Sequence, residues 1–440
     1  MNKSAGMLLG LLLIPSLSLA SGYGVFTQGA SGLGQANAVV AHPTGPSSLY
    51  FNPALLNDVP GRQVEVGTTA VYGKREIDLD SGGSEKADSD WQYPSSFYYT
   101  HNSGERIAAG IGVFFPFGLA NEWDKDYEGR YIGTKGEMFS MNINPAVSFK
   151  INDQFSLAMG MDFVYVDADL RSMINQEKYG VYLNYPDGFG PLPDIEQKFT
   201  SDGWGTGYNL GVLYKASDRI SIGAAYRSKI DIDLEGDIDY AGVDPLLVAY
   251  FWDGTAESEI ELPAQFVIGV AVNTTDRLTV EIGARWEDWD ANDKLAVDLQ
   301  YPHPLTGKPY FSADRNWSST WTYNIGANYR LNENVALNCG YLYGENPVPD
   351  STFEPVIPDA VAHLFTVGTD LTYGPWVVSA AFGYEYHEKR EKKNGDLVND
   401  PVGSLVETWE NGLVPTYVGT ADGDYETDIY LVGLSVGYKF

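Results

Sequence analysis

The sequence predicts an all-β chain: a transmembrane antiparallel β-barrel of about fourteen strands, with an N-terminal hatch segment in the lumen. Three observations carry that reading. Apolar and polar residues alternate along run after run, so each strand has one apolar side and one polar or small-residue side. The turns between runs are alternately short and very long. Outer-membrane barrels have short periplasmic turns and long extracellular loops. Tyr and Trp gather at the ends of the runs, where a membrane interface favours them. Alternation alone also suits a soluble sandwich; the loop asymmetry and the aromatic ends decide for the barrel.

Residues 1–20 read as a signal peptide. Lys3 is followed by an apolar run from Met7 to Leu19, with Ser18, Leu19 and Ala20 as the small-residue cleavage site. The run is too short to span a bilayer. Residues 21–60 come next. From Ser21 to Ala54 they are rich in Gly, Ala and Ser, with neither a long helical period nor a two-residue alternation. Such a segment buries too little apolar surface to fold alone, so it is expected to pack inside the barrel as a hatch. The barrel itself is assigned to residues 61–440.

The first barrel run sets the pattern. Val64, Val66, Thr68, Ala70 and Tyr72 share one side; Gln63, Glu65, Gly67, Thr69 and Gly73 share the other. Leu157, Met159, Met161, Phe163 and Tyr165 likewise oppose Ala158, Gly160 and Asp162. The same holds for Trp321 to Tyr329 against Thr322 to Asn328. Short turns lie at Asn152-Asp153-Gln154, Ser217-Asp218, Asn332-Glu333-Asn334 and Gly374-Pro375. Long insertions run over 172–203, 239–258, 301–316 and 392–425. The last run, Tyr430 to Phe440, ends on an aromatic residue.

Composition excludes several classes. No stretch after the leader reaches the ~20 apolar residues of a spanning helix. A mean hydropathy of -0.21 is what alternating strands give. A net charge of -31 argues against nucleic acid, whose phosphates need a basic partner. The single Cys339 forms neither an intramolecular disulfide nor a cysteine metal cluster. His42, His101, His303, His363 and His387 have no zinc spacing. Asp80, Asp88 and Asp90 lack a regular calcium-loop pattern. No metal, cofactor or catalytic residue is expected.

Several short motifs stand in order along the chain. They are Gly22-Tyr23, Ser31-Gly32-Leu33-Gly34, Asn52-Pro53-Ala54-Leu55, Gly118-Leu119-Ala120, Tyr226-Arg227-Ser228, Leu262-Pro263, Pro347-Val348-Pro349 and Ile357-Pro358-Asp359. As an ordered set, with the leader and the terminal Phe440, they resemble the FadL/TodX family over nearly the whole mature chain. That family comprises outer-membrane channels for long-chain fatty acids and other hydrophobic compounds.

The resemblance implies a hatch carrying Tyr23, Gly32, Gly34, Asn52, Pro53 and Ala54, with Tyr23 reaching toward a bound ligand and moving when it binds. It also implies a kinked strand at Pro116, Phe117 and Gly118, through which an apolar solute leaves sideways into the bilayer. Pro116 is a departure from the family. It cannot donate to a strand ladder, and Gly118 tolerates a bend. Read from the residues alone, the strand either kinks here or ends at Phe115. Asn52 is suited to hydrogen-bond its local backbone in a rigid turn.

A fatty acid also needs a basic partner for its carboxylate. The neighbouring candidates are Arg171, Lys308 and Arg315, none of which aligns without a shift. Fatty acid and neutral aromatic or aliphatic hydrocarbon therefore both stay open as ligands. Phe251 and Trp252, with Phe189, Leu192, Leu246 and Leu247, either form a first landing groove or pack loop on loop. Arg227 and Arg285 fall on lumen sides, suited to pair with carboxylates such as Glu281 or Asp231.

The expected partners are outer-membrane lipids, a hydrophobic small molecule and, through Phe440, the barrel-assembly machinery. The expected location is the outer membrane of a Gram-negative bacterium. A hatch in every chain suggests a monomer. An outer-membrane barrel enzyme would need a positioned base and a nucleophile or water, and nothing in the sequence brings Asp and His together. A general porin or adhesin would lack such a hatch.

Overall fold

The computed structural model describes residues 22–104, 106–176, 192–301, 309–393 and 421–440. The leader, Phe189 and Lys308 lie outside the described residues. Fourteen antiparallel strands close into one barrel. They are β1 (Gly61–Leu79), β2 (Ser95–Asn102), β3 (Ile107–Phe114, resuming as Gly118–Glu122), β4 (Lys135–Lys150) and β5 (Phe155–Ile174). Next come β6 (Ile195–Lys215), β7 (Ile220–Arg227 and Ile230–Ala241), β8 (Gly254–Leu262 and Gln265–Asn273) and β9 (Leu278–Glu287 and Lys294–Leu299). The ring is completed by β10 (Tyr310–Asp314 and Thr320–Arg330), β11 (Val335–Gly344), β12 (Ala362–Tyr373), β13 (Trp376–His387, then Arg390–Lys392) and β14 (Gly423–Lys439). Each strand pairs with the next. β1 closes on β14 in continuous register from Gln63 opposite Lys439 to Leu79 opposite Gly423. Closure leaves neither β1 nor β14 with a free edge, which a bilayer core demands because it offers no water to backbone amides.

Burial runs opposite to that of a soluble sandwich. On β5, Leu157, Met159, Met161 and Phe163 are exposed, with Met159 at 56%, while Asp162 is fully buried. On β1, Gln63, Glu65, Thr69 and Arg75 are buried while Val66 is 52% exposed. The apolar side faces outward, as a lipid-facing wall requires, and the polar side faces inward. Outward rings pair at both ends of the wall: Trp376 with Tyr438 at 4.8 Å, Tyr384 with Tyr430 at 5.4 Å and Tyr165 with Trp204 at 5.2 Å.

The insertions are shorter than the sequence suggests. β5 continues to Ile174 and β6 starts at Ile195, in register throughout. The span 301–316 includes the strand piece Tyr310–Asp314. Beyond the lipid both strand sides are polar, so the alternation fades while the ladder continues.

The polar interior is filled by residues 22–59, nearly all of them buried. This segment holds two single-turn helices, α1 (Ala30–Leu33) and α2 (Ser48–Phe51), and a 3-10 turn over Pro53–Asp58. Lumen-facing glycines let it approach the wall. A methyl group at Gly223, Gly326 or Gly340 would collide with the backbone of Val40, Gln35 or Ala36. Buried polar groups fix its position. The Glu281 carboxylate, fully buried, accepts from the Val40 and Ala41 amides at 2.5 and 3.0 Å and contacts His42 Nδ1 at 2.7 Å. Removing one acceptor strands several buried donors. Glu281→Ala should therefore cost on the order of 3 kcal/mol. The expected readout is protease access to residues 22–60 at a lower temperature, with the barrel still intact.

The lumen cations find partners other than those the sequence suggested. Arg227 pairs with Asp162, and Arg285 Nη2 with Glu287 Oε1 at 2.7 Å. Glu281 is taken by the N-terminal segment. Asp231 points out of the barrel, where it meets Lys229 Nζ at 3.0 Å. The corrections arise from register: Asp162 and Arg227 are on β5 and β7, brought together across β6, and Asn209 of that strand bonds the same carboxylate at 2.8 Å.

Candidate functional site

The site begins at the break in β3. Up to Phe114, this strand pairs with β2 on one side and β4 on the other, ending at Phe97 opposite Val113. After the break, Gly118–Glu122 pairs with β4 alone. Among the described residues, a single bridge between Asp88 and Glu122 stands on the other side. The wall between β2 and the upper β3 is therefore interrupted beside Pro116. The proline removes the ladder donor, and the chain steps inward. Phe115 and Phe117 are both buried. Ser140 clamps the step: its Oγ accepts from Phe117 N at 2.9 Å and donates to Phe117 O at 2.6 Å.

The N-terminal residues lie across this break on the lumen side. Val25 N donates to Pro116 O at 2.9 Å, and Gly118 N donates to Tyr23 O at 2.8 Å. Gly24 sits opposite Phe117 as an antiparallel pair. Tyr23–Val25 thus supplies the edge partner that β2 withholds. Upstream, Gly22 N donates to Asp359 Oδ2 at 2.6 Å. A side chain at Gly22, whose φ is +65, would press on Trp289 and Trp317 at 3.0 Å. Tyr23 packs on Trp289, Trp317 and Phe117 with centroids 4.7, 5.6 and 6.1 Å away. Its hydroxyl donates to Asn292 Oδ1 at 2.6 Å. Burial pushes the phenol well up, so it stays a donor.

Above Tyr23 opens a cavity of about 360 Å³, within the roughly 300–1,000 Å³ of small-molecule sites. Leu119, Met138, Phe199, Leu234, Val356 and Ile357 give it apolar walls, and Arg171 and Arg315 also line it.

The closed barrel fold is shared with known proteins. A family model described as outer membrane protein transport protein (OMPP1/FadL/TodX) matches residues 11–440. The chain belongs to this OMPP1/FadL/TodX family. Its relatives include outer membrane protein P1 of Haemophilus influenzae, 25% identical over 93% of this chain and 93% of the relative. The long-chain fatty acid transport protein of Escherichia coli is 22% identical over 84% of this chain and 87% of the relative. Among solved structures, a Pseudomonas aeruginosa FadL homologue superposes with a TM-score of 0.81 at 18% identity, covering 96% of this chain and 100% of that one. The Pseudomonas putida toluene transporter TodX gives 0.71 at 18% identity, covering 94% and 98%. The protein is an outer-membrane β-barrel of the FadL family.

In this family member the sequence-named residues separate into groups. Tyr23 forms part of the cavity, with Pro116, Phe117 and Gly118 at the break beside it. Asn52 is buried deeper in the lumen. Its Oδ1 accepts from Ala54 N at 3.0 Å, and its Nδ2 donates to Val40 O and Val212 O at 2.9 Å each. It thereby ties the Asn52-Pro53-Ala54 turn to the wall as well as to its own backbone. Gly32 lies beneath the Phe51 ring, and Gly34 abuts Asn338 and Gly368. These residues shape the packing of the N-terminal segment rather than the cavity above Tyr23.

The two described basic candidates differ. Arg171 is spent on Asp169, with bonds of 2.9 and 2.6 Å. Arg315 is buried beside the Trp317 ring at 5.4 Å, and its Nε has no hydrogen-bond partner among the described residues. Phe251 and Trp252 are not at the cavity. Phe251 packs with Ile174, Ile195 and Leu247, and Trp252 is exposed against Tyr301 at 6.1 Å. Leu247 and Phe251 pack on neighbouring strand ends, while Leu246 and Trp252 stay exposed. Trp289, Trp317 and Asn292 were missed by sequence reasoning. All three sit in the broken stretches of β9 and β10, where no periodicity marks a facing direction.

Proposed function

We propose that this protein takes up hydrophobic small molecules across the outer membrane, foremost long-chain fatty acids. The molecule enters the cavity above Tyr23, is held by the apolar walls and by Arg315, and leaves sideways through the break at Pro116–Gly118. An apolar solute partitions poorly into water, so a dry pocket and an exit into lipid serve it better than a water-filled bore. The observation that carries this reading is that one aromatic residue, Tyr23, both lines the cavity and closes the wall break. A ligand that displaces its ring would loosen the Tyr23–Val25 edge pairing at the same time. The fatty-acid transport role of the Escherichia coli relative supports an acidic ligand, and Arg315 supplies a partner for it.

A neutral aromatic or aliphatic hydrocarbon is the second reading. It is favoured by the Tyr23 ring at the cavity, backed by Trp289, Trp317 and Phe117. Each chain carries its own plug and works as a monomer surrounded by outer-membrane lipid. The 75% exposed Phe440 is the assembly-machinery signal.

The test is mass spectrometry of small molecules released from protein purified out of its membrane, paired with uptake of labelled oleate and toluene by cells expressing it. A co-purified long-chain acid and oleate uptake are expected, with uptake falling at least tenfold in Arg315→Ala. Toluene uptake without oleate uptake would establish the second reading. Uptake of neither would end both.

A further inference from the structure

The wall is interrupted a second time, between β8 and β9. Below the interruption the two strands are laddered from Asn273 opposite Thr279 to Gln265 opposite Glu287. Above it they meet again, from Ser258 opposite Val297 to Ala256 opposite Leu299. Among the described residues, no ladder pair joins 259–264 to 288–296. Both edges are held from their other sides: Glu257 to Leu262 are laddered to β7, and Lys294 to Asp298 to β10. The extra chain on β9 turns inward as the 3-10 turn Trp289–Ala291, which buries Trp289 against Tyr23. Backbone without ladder partners is tolerated near a bilayer where it lines a cavity.

The gap has a frame. At its lower end Asp288 N donates to Ala264 O at 2.9 Å, and Asn292 Nδ2 donates to Glu261 O at 3.0 Å. At its upper end Ser258 Oγ donates to Ala296 O at 2.8 Å. Between them stand Glu259 and Ile260 on one lip and Asp293, Lys294 and Leu295 on the other, and all five line the cavity above Tyr23. Successive residues of a strand point to opposite sides. Ile260 shares the inward side with buried Ala256, and Leu295 with buried Val297. Exposed Glu259 and Lys294 point outward, so the rim is charged and the throat apolar. The buried Asn292 also accepts from the Tyr23 hydroxyl at 2.6 Å. It thereby ties the lower end of the gap to the residue that closes the break at Pro116.

The outer face gives the height. Tyr226, Phe266, Trp286 and Trp321 stand directly opposite one another on β7, β8, β9 and β10. They share the outward side with exposed Ile268 and Ile282. An aromatic row of this kind marks the membrane–water interface. The gap opens immediately above it, toward the loop end of the barrel, and so faces the headgroup layer of the outer leaflet.

We propose that the gap between β8 and β9 is the entrance by which a hydrophobic solute held in the outer-leaflet headgroup layer reaches the cavity. This deepens the uptake reading above and rests on it: the solute comes in beside Ile260 and Leu295 and goes out at Pro116–Gly118. An amphiphile at that height keeps its polar end among Glu259, Lys294 and water. Its tail passes onto the apolar throat, where burial is favourable.

The test uses full-length mature protein carrying Ala296→Cys in a Cys339→Ser background, folded before its thiol is capped with pyrene maleimide. Ala296 lies on the outward side of its lip, between exposed Lys294 and Asp298, and holds Ser258 through its carbonyl alone. Capping should slow association of radiolabelled oleate in non-ionic detergent roughly fivefold or more, with dissociation slowed alike and Kd unchanged, because a doorway acts on rates. Oleate uptake by capped cells should fall in step. The same cap on Tyr386→Cys should change neither. Tyr386 is 43% exposed on the outer face, where the wall is laddered on both sides.

An Ala296→Cys thiol that pyrene maleimide cannot reach overturns the proposal. So does complete capping without slower association, or weaker affinity at an unchanged association rate, which would place the cap in the pocket and not in its doorway. Failure of wild type to bind or take up oleate overturns the uptake reading itself, and this one with it.

Discussion

A disulfide between positions 24 and 117 should stop uptake under oxidising conditions and release it under reducing ones. Gly24 and Phe117 face each other in an antiparallel pair flanked by the Val25–Pro116 and Tyr23–Gly118 hydrogen bonds. This is the close, non-hydrogen-bonded kind of pair, with Cα atoms roughly 4.5 Å apart, within the range a disulfide spans. The native chain has only Cys339, which is exposed, so Gly24→Cys/Phe117→Cys belongs in a Cys339→Ser background. Oxidised, the N-terminal segment is riveted to the broken strand, and oleate uptake should drop at least tenfold. Dithiothreitol should restore it in the same cells. That comparison removes any effect of losing the Phe117 ring. Undiminished uptake by a fully oxidised sample would show that the solute does not pass this wall.

Gly340→Leu should turn a nearly silent barrel into a conducting one. At this lumen-facing position even a Cβ would lie 2.6 Å from Ala36 N and 2.7 Å from Ala36 Cβ. The segment cannot easily give way, because Ala36 and Asn37 already hold left-handed φ values of 50 and 58 in a tight turn. The wall is the stiffer party: Gly340 is laddered to Gly326 on one side and Thr366 on the other. A branched side chain should therefore force residues 33–40 away from the wall. Steady conductance in planar bilayers is the expected result, from protein that still migrates as a folded barrel. Continued silence would mean that residues 22–59 do not seal the bore. The same recording separates a plugged channel from a general porin, which would conduct in wild type.

The strand pattern was legible for a simple reason. A wall with lipid on one side and a filled polar lumen on the other imposes a two-residue period wherever both media are present. Gln63 to Gly73 and Leu157 to Tyr165 show it, with Val71 and Val164 the larger apolar residues on the inward side, and the observed burial follows it. The break at Pro116 was legible because proline cannot serve a ladder, whatever surrounds it. Outside the lipid the period is lost. The spans 172–203 and 301–316 therefore read as plain loops although strands run into both.

The pocket itself was largely hidden. Tyr23 and Arg315 could be named, but not the fact that Arg171 is neutralised two residues away by Asp169. Nor could the sequence bury Phe251 against Ile174, Ile195 and Leu247. Pairings such as Asp162 with Arg227 depend on the relative register of three strands, and a one-residue slip would turn each side chain to the opposite face.

By itself, the sequence determined that the strands alternate for a lipid-facing wall, and it raised the expectation that residues 21–60 need something to enclose them. These are local matters of period and composition. Only the tertiary structure decided that Tyr23–Val25 stands in for the missing neighbour of β3, and that Arg315 and Glu354 share one cavity. The first joins segments nearly a hundred residues apart and the second joins two separate loops, brought together when β14 closes on β1. Nothing local to either segment encodes that closure.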